Sequence, residues 1–102
     1  MSEVRQSGKT TSAIQDLPLN SLYIVEARRD IGYMKRLSRH IGRTDVQFTS
    51  WSSFLPQEEM GRRRYVGVDH YVYECLLKRG YSERDLEIMG TIAYCNKAAK
   101  MV

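Results

Sequence analysis

Cysteine is scarce in this chain: Cys75 and Cys95 are the only two in 102 residues, with no CxxC pair and no clustered histidines beside them. That excludes a zinc ligand set and predicts two reduced, half-buried thiols in a cytosolic protein. Proline is equally rare, and no stretch rich in Pro, Gly and Ser interrupts the sequence. No linker therefore divides it, and residues 1–102 are expected to form a single domain with one modest core. Long apolar runs are also missing. None approaches a membrane span, and Met1–Arg5 has no apolar signal segment, so a soluble, cytoplasmic protein with no membrane partner is expected. What is present argues for a folded chain: 42% of residues are hydrophobic, too many for a disordered tail. Sixteen Lys and Arg against twelve Asp and Glu leave a formal charge of +4. Such a surplus leans toward an anionic partner (nucleotide, nucleic acid or an acidic protein surface) without choosing among them.

Short apolar runs alternate with helical patterns, the order of βαβ units and a parallel sheet. Residues 8–16 are rich in Thr and small residues and stop before Leu17-Pro18, which predicts a short helix opening at Gly8. Leu22-Tyr23-Ile24-Val25 is a continuous β-prone run and predicts a buried strand. Asp30 is placed to cap a following helix in which Met34, Leu37 and Ile41 share a face and Gly42 ends the pattern. Val46 and Phe48 alternate with polar neighbours as a second strand. Residues 50–55 predict a helical turn closed by Pro56, followed by a polar loop to Gly61. Tyr65-Val66-Gly67-Val68 is a third strand ending on Asp69, and residues 71–79 a helix that buries Val72, Leu76 and Tyr73 under a Gly80 cap. The last segment reads two ways. Ser82 and Asp85 open a helix presenting Leu86, Met89 and Ile92, whereas Leu86, Ile88, Gly90 and Ile92 alternate as a strand does. The alternating architecture favours a strand over 86–93. The expected fold is α/β: a small three-layer domain with a mostly parallel sheet of about four strands.

Two constellations carry chemistry. In Ser7-Gly8-Lys9-Thr10-Thr11, a glycine permits close approach of backbone to phosphate, a lysine reaches the β and γ oxygens, and a hydroxyl binds magnesium. The helix that follows turns its first N–H groups toward the anion. The full GxxxxGK[ST] pattern asks for glycine where this chain has Glu3, and residues 1–7 leave room only for a strand stub at 2–5. The second constellation is Arg64-Tyr65-Val66-Gly67-Val68-Asp69-His70, a β-prone strand ending in an acid that can hold magnesium through water. Together they make Ser7, Gly8, Lys9, Thr10 and Thr11 candidate phosphate-binding residues and Thr10 and Asp69 candidate metal ligands; a chance GKTT in a polar N-terminus and an ordinary strand-terminal aspartate are the alternatives.

In order and spacing, RQSGKTT, LYIVEARRDIGYMKRL, VQFTSW and YVGVDHYVYE resemble the small P-loop NTPase-like proteins of bacteriophages, related to the ATPase cores of helicases and large terminase subunits. The resemblance covers most of the chain. It implies a P-loop-like fold, ATP or GTP with Mg2+ as cofactor, and a role in DNA metabolism or host takeover in the bacterial cytoplasm. It also implies a nucleotide-sensing threonine, Thr91, at the end of an 86–91 strand. ATPases of this class commonly place a glutamate just after the magnesium aspartate to orient water. Here His70 stands there, with Glu74 one helical turn on, and these two are the candidate catalytic residues. Weak ATPase or GTPase activity and a non-enzymatic role both remain open. In the second case the fold is retained and the protein binds and inhibits a host enzyme or defence complex.

Basic residues with aromatics nearby form a third feature: Arg28-Arg29, Lys35-Arg36 with Arg39, Arg62, Arg63 and Arg64 beside Tyr65, and Lys97 with Lys100. They are candidate nucleic-acid contacts, and an ordinary basic surface around core tyrosines has the same composition. A parallel sheet without a full first strand leaves an edge that a homo-oligomer can cover.

Overall fold

The structure is a computed structural model that describes residues 9–101, with side chains for residues 10–100. Ser7, Gly8 and the 2–5 strand stub lie outside the described residues, as does the side chain of Lys9. Helix α1 (Lys9–Gln15) leads into β1 (Leu22–Val25), α2 (Arg29–His40), β2 (Gln47–Ser50), a 3-10 turn at Trp51–Ser53, α3 (Pro56–Glu59), β3 (Val66–Val68), α4 (His70–Arg79) and α5 (Glu83–Met101).

The three strands form one sheet in the order β2-β1-β3, every pair parallel. All four residues of β1 are buried, as expected of a central strand covered on both faces. Leu22 and Ile24 pack with Val72 and Leu76 of α4 and with Ile88, Ile92 and Cys95 of α5. Their alternates Tyr23 and Val25 pack on the opposite face, with Ile14 of α1 and Met34 of α2. Helices therefore cover both faces of the sheet. Both cysteines are free; Cys75 is half-buried and Cys95 buried, and desolvation raises the Cys95 thiol above its ordinary pKa.

The fourth strand expected over 86–93 is instead the middle of a 19-residue helix, α5. A reciprocal cap settles its start: Ser82 Oγ accepts the Asp85 N–H at 3.2 Å, and an Asp85 carboxylate oxygen accepts the Ser82 N–H at 3.4 Å. Its buried residues Ile88, Ile92 and Cys95 recur at helical spacing, whereas Leu86, which a strand would have placed with them, is 57% exposed. Thr91 consequently ends no strand; its hydroxyl donates to the Glu87 carbonyl one turn back. Three further details differ from expectation. Asp30 lies within the first turn of α2 rather than at its cap, which is Arg28. Residues 56–59 are helical, with Pro56 in the first turn where its missing N–H costs no hydrogen bond. Tyr73 is exposed.

The short helix α1 is held at its carboxyl end by Arg43. The Arg43 guanidinium donates to the carbonyls of Ile14 (2.9 Å) and Gln15 (3.2 Å) at the end of the helix and of Leu17 (2.9 Å) and Pro18 (3.2 Å) just beyond it. Asp45 receives two further bonds from the same guanidinium and one from the Asn20 N–H at 2.7 Å. The bonds from Arg43, and next that from Asn20, hold the Asp45 carboxyl well below the usual carboxylate range. A carboxylate depressed in the folded state contributes stability that is present above its unfolded pKa of about 3.9 and is lost as pH falls below it. Asp45→Asn should therefore flatten the acid limb of a stability–pH profile below about pH 4. An acid limb identical to the parent's would show that Asp45 is not what the pair stabilises.

Candidate functional site

The connection from β2 to β3 crosses to the far side of β1, so the carboxyl ends of β1 and β3 flank the point where strand order reverses. In open α/β sheets this is where ligands bind. β1 ends before Glu26, whose carboxylate accepts from the Cys75 thiol at 3.3 Å and lies 3.8 Å from Arg79. β3 ends before Asp69.

Asp69 is the N-cap residue of α4, with extended backbone (φ −64°, ψ 145°), but its side chain does not cap the helix. Aspartate at this position ordinarily accepts a hydrogen bond from the first turn. Here the carboxylate turns onto the α1 face of the sheet. Its Oδ1 accepts from the Tyr23 phenol at 2.7 Å and the Thr10 hydroxyl at 3.2 Å. All three residues are at most 2% exposed. Desolvation, and then the Asp69 carboxylate, push the Tyr23 phenol far above its ordinary pKa, so it remains an O–H donor across the neutral range.

Thus Thr10 and Asp69, 59 residues apart in sequence, are joined by a buried hydrogen bond. Thr11 follows in the same helix and is half-buried. His70 stands beside the cluster, with Nδ1 3.5 Å from Asp69 Oδ1 and its ring 4.1 Å from that of Tyr71. Its Nε2 is buried with no hydrogen-bond partner among the described residues. Glu74 is solvent-exposed on α4, and no hydrogen bond or ion pair joins it to Asp69. The three arginines fall apart. Arg64 is locked to the buried Glu59 by two bonds, 2.6 and 2.9 Å. Arg62 is exposed and 3.9 Å from Glu59, and Arg63 is exposed with a left-handed backbone at φ 48°.

Tyr23 was not legible as a site residue, because its sequence context is that of an apolar strand. What brings its ring under Asp69 is the register Tyr23↔Gly67. A Cβ built on Gly67 would lie 3.0 Å from the Tyr23 ring and 3.0 Å from Leu17 Cδ2. Gly67→Ala should therefore cost about 1–2 kcal/mol through overpacking, measured by urea unfolding. A neutral result would mean that the ring has room to give.

Among the described residues no group of three or more His, Cys, Asp or Glu side chains is placed to hold a metal ion, and no helix is long and apolar enough to cross a membrane. The chain matches no protein-family model, no curated protein and no solved structure.

Proposed function

We propose that this protein binds a nucleoside triphosphate with Mg2+ at the switch point, through the sequence motif Ser7–Thr11 together with Asp69. The observation that carries this reading is the buried meeting of the Thr10 hydroxyl with the Asp69 carboxylate. The donor set suits magnesium, which takes oxygen ligands and commonly uses one or two protein groups, completing its shell from water and phosphate. Thr10 and Asp69 would hold the ion, and a bound Mg2+ would supply charge neutralisation at the phosphates. Tyr23 is a positioning residue: it fixes the rotamer of Asp69 from the neighbouring strand. Lys9, the first residue of α1, would carry the remaining positive charge toward the phosphates. By its sequence resemblance such a protein is phage-encoded and works in DNA metabolism or host takeover.

Binding without efficient turnover is the better-supported form of the proposal. His70 occupies the place of the water-orienting glutamate, and Glu74 faces solvent. The same facts favour a second reading, in which the fold serves a non-enzymatic protein that binds and inhibits a host enzyme or defence complex. Isothermal titration with ATP and GTP, with and without Mg2+, separates the readings. Magnesium-dependent binding weakened about tenfold or more by Lys9→Ala and by Asp69→Asn is expected, the loss of one charge-assisted contact being about 1.5–3 kcal/mol. Absence of any magnesium-dependent binding would sink the nucleotide reading. Capture of one stoichiometric host protein would then support the inhibitor, and a clear intrinsic ATPase rate would count against it.

A further inference from the structure

Positive charge is concentrated on α2 and the turn after it. Between residues 28 and 43 lie Arg28, Arg29, Lys35, Arg36, Arg39 and Arg43, against a single acid, Asp30, which is buried. Arg43 is committed to Asp45 and the end of α1. Lys35 and Arg39 are not so committed: both are exposed, and no ion pair joins either to a described residue. They stand one helical turn apart on the wall of a cleft of about 280 Å³ between α2 and β2. Thr44, Val46 and Phe48 line its other side.

The sheet gives this cleft more than charge. Among the described residues β2 is an edge strand, paired only with β1. The Gln47 N–H points inward to the Ser21 carbonyl at 3.0 Å. In a parallel ladder alternate residues bond to opposite sides, so the Phe48 N–H and carbonyl face away from β1, at the free edge. The Phe48 ring is half-buried and meets Tyr23 edge-on, with centroids 6.1 Å apart and planes at 81°. The cleft thus combines two uncommitted cations, an edge peptide and an aromatic ring.

We propose that the cleft between α2 and the free edge of β2 binds single-stranded nucleic acid, with Lys35 and Arg39 on neighbouring phosphates and Phe48 as a platform for a base. Charge complementarity selects a polyanion. The concave shape and the ring on the strand side select a single strand, because only unstacked bases can reach such a platform. A duplex presents its phosphates on a convex surface and keeps its bases stacked. The cleft shares no lining residue with the Thr10–Tyr23–Asp69 cluster, so this inference does not depend on the nucleotide reading.

Fluorescence anisotropy with a labelled oligothymidylate and the matching oligouridylate, across about 50 to 200 mM salt, tests it. The full-length protein should bind with affinity that falls as salt rises. Loss of two phosphate contacts in Lys35→Ala/Arg39→Ala should weaken binding about tenfold or more and reduce the log–log salt slope by about 1.4. Phe48→Leu should weaken binding about tenfold with the slope unchanged, since stacking carries no counterion release. Urea unfolding of each variant confirms that the fold is intact. Arg62→Ala/Arg63→Ala, at residues that do not line the cleft, should leave affinity within about twofold. The proposal is overturned if the parent does not bind, if binding ignores salt, if the double variant binds like the parent, or if a duplex of equal length binds as tightly. Tighter binding of one oligonucleotide than the other supports it and identifies the natural strand as DNA or RNA.

Discussion

Arg64→Ala is expected to lower the unfolding free energy by about 3 kcal/mol, as breaking a buried ion pair does when one charged partner is left behind. Glu59, on α3, is 3% exposed, and its two carboxylate oxygens accept from Arg64 Nε at 2.6 Å and Nη2 at 2.9 Å. The third corner of the guanidinium, Nη1, donates to Gln47 Oε1 at 2.7 Å. One side chain thus ties α3 to the first residue of β2 and fixes the approach to β3. Arg64→Lys keeps the charge but loses the fork and should cost about half as much, because one ammonium cannot reproduce two parallel bonds. Glu59→Leu/Arg64→Leu should recover most of the loss, since an apolar pair leaves no charge buried. Urea denaturation at neutral pH measures all three. If Arg64→Ala stays within about 0.5 kcal/mol of the parent, the pair is behaving as a solvated surface contact. The same geometry leaves Arg64 no free guanidinium nitrogen for a nucleic-acid phosphate, because all three are already occupied within the fold.

The elements whose burial pattern is set by their own residues were legible in the sequence. β1 is a run of four β-prone apolar residues, and α2 shows a 3.6-residue stripe through Met34 and Leu37. β3 and α4 are separated by Asp69 and closed by Gly80, whose φ of 72° needs a residue without a side chain. The 86–93 segment is ambiguous in sequence because Leu86, Ile88, Gly90 and Ile92 satisfy a period of two while Ile88, Ile92 and Cys95 satisfy the helical one. The deciding signal is local, the reciprocal cap of Ser82 and Asp85, and it runs against the alternation of strands and helices along the chain. Of the buried cluster, Thr10 and Asp69 are legible as candidates because each belongs to a short sequence motif. Tyr23 and Arg43 are not. The hydroxyl of Tyr23 finds its partner through strand register, and Arg43 reaches carbonyls 25 to 29 residues earlier. Neither relationship leaves a local trace.

Asp69→Ala is expected to cost about 3 kcal/mol, because it leaves two buried donors, the Tyr23 phenol and the Thr10 hydroxyl, without their acceptor at about 1–3 kcal/mol each. Against a total stability of about 5–15 kcal/mol for a domain of this kind, that loss is severe. Asp69→Asn retains a carbonyl oxygen for the same two donors and should cost about 1 kcal/mol, which is why it suits the nucleotide titration and the alanine variant does not. Tyr23→Phe supplies the independent check. It removes one donor and leaves Thr10 on Asp69, so alone it should cost about 1 kcal/mol. In a double-mutant cycle with Asp69→Ala the two losses should fall short of additivity by about 1–2 kcal/mol, because the second change removes a group the first has already stranded. Full additivity would mean that Tyr23 and Asp69 are not coupled, and a neutral Asp69→Ala would mean that water reaches the cluster. The cycle also bears on mechanism. If Tyr23→Phe weakens magnesium-dependent nucleotide binding while leaving stability within about 1 kcal/mol of the parent, the phenol acts by orienting the carboxylate. If it lowers stability and leaves binding unchanged, the Tyr23 bond to Asp69 holds β1 to β3 and serves the fold alone.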